Sequence, residues 1–263
     1  MKKNTAPGMF PIIVIVACLI VAECIYYFIL GNQIHFVDAE RNVPKDGDLY
    51  GIMFKGGFLV PIILTMLMMV LVFTIERLLT LSKATGKGNI ASFVRKIQYN
   101  LTQNNVADAM RECDNQKGSV ANVIKSGLKT YEEMAVNTQL TKEQKLLAIQ
   151  KEIEEATSLE LPMLQRNLPF LATLAPLGTL AGLIGTVLGM IRAFAAMGHS
   201  GAADSVALSN GISEALVNTA TGITTSALAI IAYNYFSNKI DSLTYNIDEA
   251  GYSITNTFAS RYN

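Results

Sequence analysis

Residues 211–234 read GISEALVNTATGITTSALAIIAYN, an uncharged run broken only by Glu214 near its start. About 20 mostly apolar residues cross the hydrocarbon core as a helix, so this run is read as a transmembrane span. Within it Glu214, Asn218, Thr221 and Thr225 recur at spacings of four, three and four. On an α-helix that spacing makes one polar stripe. Lipid gives such a stripe nothing, because a carboxylate at the bilayer centre costs about 3 kcal/mol on insertion scales and therefore faces a bundle interior or a wet cavity. The stripe points to an ion or proton path, with a hydrogen-bonded clamp between helices as the structural alternative.

The span before it, residues 168–197, reads LPFLATLAPLGTLAGLIGTVLGMIRAFAAM. Gly178 with Gly182, and Gly185 with Gly189, lie four apart, a spacing that lets another helix approach the backbone closely. Thr179, Gly182, Thr186 and Gly189 share a face, which adds two hydroxyls to it. Arg192 is read as snorkelling to the outer interface on its long stem, and Pro176 as a kink. Residues 198–206 form a short Gly/Ser/Asp external turn, so spans 168–197 and 207–238 make an antiparallel hairpin.

Further out, residues 10–31 form another apolar block, too long for a signal-peptide core and without an A-x-A-type exit. It is expected to stay as an extra N-terminal span (1–31), starting in the cytoplasm behind Lys2 and Lys3. Its Glu23 is read as snorkelling or bonded inside the bundle. Residues 32–56 are a turn-rich external connection. Span 57–81 carries Pro61 in its first turns, where proline is tolerated, and closes on Glu76 and Arg77, taken as emergence into water. Lys83 and Lys87 put that end inside.

Residues 82–167 are charged and helical in pattern, with breaks near Lys117 and Gly118 and before Thr141. Thr141 and Gln144 have capping-box spacing, and Leu146, Ile149, Ile153 and Ala156 give the following helix an apolar face. Residues 86–89, GKGN, lack the spacing of a phosphate loop. Residues 239–263 form a cytoplasmic helical tail.

Composition agrees with a polytopic all-α membrane protein of four spans: 51% of residues are hydrophobic and 16% charged, in segregated blocks. The 21 basic and 21 acidic residues balance, and no basic cluster argues for nucleic acid. Three cysteines and two histidines, scattered, suggest neither a disulfide framework nor a metal site. No catalytic triad, soluble carboxylate pair or nucleotide motif appears, so neither an enzyme nor a cofactor is expected.

The third span's LAPLGTLAGLIGTVLGMIRAF and the fourth span's GISEALVNTATGITTSALAIIAYNYF resemble the ExbB/TolQ/MotA proton-channel family, ExbB most closely. The resemblance runs from about residue 57 onward. It implies a bacterial inner-membrane homo-pentamer, bathed in membrane lipid, around the single spans of an ExbD-like dimer. Thr186, Glu214 and Thr219 would then line a pore, and proton-motive force would act through a TonB-like protein on outer-membrane transport. TolQ-like envelope maintenance, a MotA-like flagellar stator and a non-conducting scaffold are the alternatives. Both termini would be cytoplasmic, and the first span lies outside the family pattern. Thr219 falls about 140° around an ideal helix from Glu214, off the stripe, so Asn218, Thr221, Thr225 and Thr179 stand as further pore-facing candidates.

Overall fold

The computed structural model describes residues 9–38, 40, 43–199 and 205–262. Among them all regular structure is helical, and Phe36 and Pro44 form an isolated bridge. Among the described residues nine α-helices follow one another: α1 (Met9–Cys24), α2 (Leu49–Phe54), α3 (Leu59–Thr85), α4 (Ile90–Thr102), α5 (Val106–Gln116), α6 (Gly118–Val136), α7 (Lys142–Gln165), α8 (Leu168–His199) and α9 (Ser205–Arg261). Four helical stretches among the described residues are long and apolar enough to cross a membrane. The contacts divide the chain into two units, one of residues up to Ile75 with Asn167–Asn234, the other Glu76–Arg166 with Tyr235–Asn263.

The first unit holds the apolar helices. α1 runs straight into a π-helical turn, Ile25–Leu30, which brings Tyr26 and Leu30 into a cluster with Val60, Phe54 and Val217. Tyr26 stacks on Phe54 at 4.7 Å between ring centroids and donates its hydroxyl to the Phe54 carbonyl at 3.2 Å. The connection 32–56 contains a short helix that the turn-rich composition hides: Asp48 caps α2, accepting from the amides of Tyr50 and Gly51. The neighbouring His35 ring nitrogen bonds Asp48 at 2.7 Å and holds its carboxyl below the usual carboxylate range. Outward-facing side chains such as Leu216, Ile231 and Phe28 are exposed, as expected where hydrocarbon rather than water is the solvent. Most of the 198–206 turn lies outside the described residues.

α8 and α9 pack through glycines. A Cβ at Gly182 would lie 3.3 Å from the Gly222 Cα, and one at Gly189 only 2.7 Å from the Ala215 amide nitrogen. Gly178 sits against Gly222, Thr225 and Ser226, and Gly185 against the Asn218 side chain. The Ser226 hydroxyl donates to the Ala175 carbonyl at 2.5 Å, satisfying a buried group of the neighbouring helix.

The second unit is built from α4 to α7 with the adjoining parts of α3 and α9. The breaks fall where expected: Lys117 at φ 59° and Gly118 at φ 85° separate α5 from α6, and the Thr141–Gln144 capping box opens α7. Ile149 and Ile153 on the α7 stripe are buried, with Leu146 and Ala156 half-buried. Gly127 of α6 leaves room for Ile153, whose Cγ1 lies 2.6 Å from the position a Cβ would take. GKGN is a tight junction instead of an anion cradle. A Cβ on Gly86 would fall 2.1 Å from the Lys117 carbonyl oxygen, and Asn89 caps α4.

Arg77 corrects the sequence reading of a residue emerging into water, being only 1% exposed. Its guanidinium donates to Glu76 at 2.6 and 2.7 Å and to the Leu164 carbonyl at 3.1 Å. A buried charge survives when its donors are paired in this way. Cys113 is also enclosed, and burial, with Asp114 adding to it, pushes its thiol up to about 12. At pH 8 the thiolate needed for alkylation is therefore scarce. We expect iodoacetamide to modify Cys113 at least ~100-fold more slowly in the folded chain than after unfolding; equal rates would mean that α5 opens readily.

Candidate functional site

Glu214, ten residues into α9, is 5% exposed. Its partner is Arg192 of α8, whose Nη1 lies 2.5 Å from Oε1 and 2.7 Å from Oε2. Arg192, expected from sequence only to reach the interface, also makes an ion pair inside the chain, with 52% of its side chain still exposed. A bare carboxylate among apolar helices costs more than one that accepts charged hydrogen bonds.

Above the pair sits the turn Gly56–Gly57, between α2 and α3. Gly57 has φ +74°, and a Cβ there would lie 2.6 Å from Glu214 Oε1. Asn218, one turn along α9 and fully buried, donates Nδ2 to the Gly56 carbonyl at 2.7 Å. The first two members of the polar stripe therefore clamp consecutive residues of one turn. The last two bond their own helix: Thr221 donates to Val217 and Thr225 to Thr221, each at 2.8 Å. Such back-bonding is the local alternative open to any helical threonine. Thr225 is buried, Thr221 half-buried and Thr179 exposed.

Thr186 and Thr219 meet directly, hydroxyl to hydroxyl. Thr186 also donates to the Gly182 carbonyl at 3.1 Å, and Thr219 to Ala215 at 3.0 Å. Among the described contacts no hydrogen bond joins Glu214 to either threonine. Glu214 and Asn218 thus meet the glycine turn as well as α8, whereas the hydroxyl of Thr219 meets Thr186 of α8.

An open cavity of about 410 Å³ beside the pair is lined by Tyr26, Lys55, Gly57, Arg192, Asn210 and Glu214. Partial burial lowers the pKa of the Lys55 ammonium below the usual lysine range. Tyr26 brings the first span into the same site. Gly57, Lys55 and Tyr26 were not singled out from sequence, because their roles arise from a turn geometry that spacing does not encode. Arg192 did have a signal. For Thr186–Thr219, Gly182–Gly222, Gly189–Ala215 and Arg192–Glu214 the midpoints fall at positions 202 to 203, so residues equidistant from the hairpin's centre face each other.

Gly57→Ala tests the turn. A non-glycine residue at positive φ costs about 1–3 kcal/mol, and here the new methyl also displaces the carboxylate. Gly47 has φ +76° with nothing within 4 Å of its would-be Cβ, so Gly47→Ala carries the strain alone. We expect Gly57→Ala to lower the thermal midpoint in detergent more than Gly47→Ala does. Equal shifts would show that Glu214 adapts freely.

A helical chain with four potential spans, and with an ion pair and a threonine pair joining two of them, defines a polytopic membrane protein. The chain belongs to the MotA/TolQ/ExbB proton channel family: the family's sequence profile matches residues 115–249, just over half of its 263 residues. It is 30% identical to the Tol-Pal system protein TolQ of Pseudomonas aeruginosa over 124 residues, 47% of this chain and 54% of that protein. It is 30% identical to the biopolymer transport protein ExbB of Xanthomonas campestris pv. campestris over 112 residues, 43% of this chain and 44% of that one. With ExbB of Neisseria gonorrhoeae identity is 26% over 170 residues, 64% of this chain and 76% of that protein. The chain thus spans about half the length of the first two relatives. α1 to α4 and nearly all of α5 precede the family match.

Proposed function

We propose that this chain is the channel-forming subunit of an inner-membrane complex that converts proton-motive force into movement, with Glu214 as the proton-carrying group. Thr186 and Thr219 supply hydroxyls on the same path, and Asn218, Thr221, Thr225 and Thr179 are further candidates along it. Five copies surround the single spans of an ExbD-like dimer, and a TonB-like protein carries the movement to outer-membrane transporters. Both termini and residues 82–167 face the cytoplasm. The observation that carries this reading is the nearly inaccessible carboxylate of Glu214 inside an apolar span, since an intramembrane carboxylate marks an ion pathway by default.

The pairing of Glu214 with Arg192 of the same chain favours a second reading, a scaffold in which the pair only fastens two helices. The match to TolQ favours envelope maintenance as the output of a conducting complex. Proteoliposomes containing the chain and its single-span partner, under an imposed pH gradient, separate conduction from scaffolding: flux above that of empty vesicles is expected, and its absence would sink the proposal. Deleting the gene then distinguishes the outputs, loss of energised uptake supporting the TonB-type role and detergent sensitivity the Tol-type role.

A further inference from the structure

We propose that Arg192 is a positioning residue for Glu214: it holds the unprotonated carboxylate within its own chain and releases it when Glu214 takes up a proton. This rests on reading Glu214 as the proton carrier. Both carboxylate oxygens accept from one nitrogen, Nη1, at 2.5 and 2.7 Å. The two side chains differ in access: Glu214 is 7% exposed and Arg192 52%. Arg192 borders the open cavity and can withdraw into it; the carboxylate, enclosed beneath Gly57, cannot follow.

The groups facing the pair set the balance. Lys55, after α2, brings a second cation to the cavity, and Tyr26 a hydroxyl bonded to the Phe54 carbonyl. Asn210 adds an amide from α9 itself. The Phe58 ring centroid lies 5.7 Å from the guanidinium carbon, giving the cation an aromatic face to rest on. A proton adding to a carboxylate oxygen of Glu214 yields a neutral acid, while arginine keeps its charge throughout. The pair then passes from net zero to one positive charge, beside a lysine, and the charge-assisted bonds to Nη1 weaken. The missing Cβ of Gly57 matters here, because it would stand 2.6 Å from Oε1 and 3.5 Å from Nη1, where the two groups part.

The test uses the full chain with its partner in membrane vesicles. A hydrophobic carbodiimide adds to protonated carboxyl groups, so labelling of Glu214 at pH 7, read by peptide mass, reports the unpaired acid. R192Q is expected to be labelled at least tenfold faster than wild type, with R192K restored to within threefold. Labelling of R192Q at the wild-type rate, or of R192K as fast as R192Q, would overturn the proposal, the second by showing that packing and not charge protects the acid. Should R192Q fail to fold, E214Q reads the same pair from the other side: phenylglyoxal should modify Arg192 at least tenfold faster in E214Q, and an unchanged rate overturns the proposal. Neither probe measures proton flux. Flux surviving in E214Q would remove the proton-carrier reading while leaving the pairing result to stand or fall separately.

Discussion

Glu214→Gln is expected to bring proton flux through the assembled complex down to the vesicle background, at least ~100-fold below wild type, with the fold kept. The size of the effect follows from chemistry. A positioned group that gives and takes protons contributes about 10²–10⁴-fold, and an amide cannot replace it. The fold survives for a geometric reason. Glutamine has the same shape, its carbonyl can still accept from Arg192, and the guanidinium, 52% exposed in its side chain, keeps access to solvent. The uncompensated charge therefore costs far less than the ~3–5 kcal/mol of breaking a fully buried pair. Flux and thermal midpoint should separate, the first abolished and the second shifted by a few degrees. Flux within twofold of wild type would show that protons pass elsewhere. A collapse of both together would support the clamp reading, in which the pair fastens α8 to α9.

How much of this site is legible in the sequence depends on what each residue faces. Helical periodicity suffices for Glu214 and Asn218, because they lie one turn apart on α9 and both reach the Gly56–Gly57 turn. It fails for Thr219, which answers to a different neighbour, Thr186 on α8, and so falls outside the stripe. Only the family resemblance singles out that threonine. The stripe also includes Thr221 and Thr225, whose hydroxyls are satisfied by carbonyls one turn back; in an apolar helix a threonine meets its own needs, and spacing cannot separate that from a role in a path. Arg192 shows a third situation. Snorkelling is the ordinary fate of an arginine near a helix end, but counting outward from the hairpin's centre sets it level with Glu214. Arg77 misleads for a related reason. A charge ending an apolar run usually marks water, whereas here Glu76 and the Leu164 carbonyl receive the guanidinium inside the second unit. The π-helical turn at Ile25–Leu30 has no sequence mark, since the register shift that seats Tyr26 on Phe54 is decided by tertiary packing.

Gly222→Val is expected to cause the largest loss of stability of any single substitution in the α8–α9 hairpin. A Cβ at position 222 would lie 2.5 Å from the Gly178 carbonyl oxygen and 2.8 Å from the Gly182 Cα. Both are backbone atoms of α8, so no side chain can swing aside and the helices must separate. Overpacking usually costs about 1–3 kcal/mol, and the upper end applies here because separation also undoes contacts along the seam. The Thr186–Thr219 contact and the Ser226 bond to the Ala175 carbonyl both need the close approach, and Arg192 reaches Glu214 across the same seam. Gly251→Ala, in the same helix, isolates backbone propensity from crowding. Its Cβ would meet only the Ile153 side chain, at 3.2 Å, a contact that a rotamer adjustment relieves. Replacing a mid-helix glycine by alanine gains about 0.5–1 kcal/mol. The two glycines of α9 should therefore respond in opposite directions, the thermal midpoint falling for Gly222→Val and holding or rising for Gly251→Ala. A Gly222→Val chain that unfolds at the wild-type temperature would mean that the hairpin tolerates a wider spacing. The threonine and ion-pair contacts would then not depend on the glycine seam.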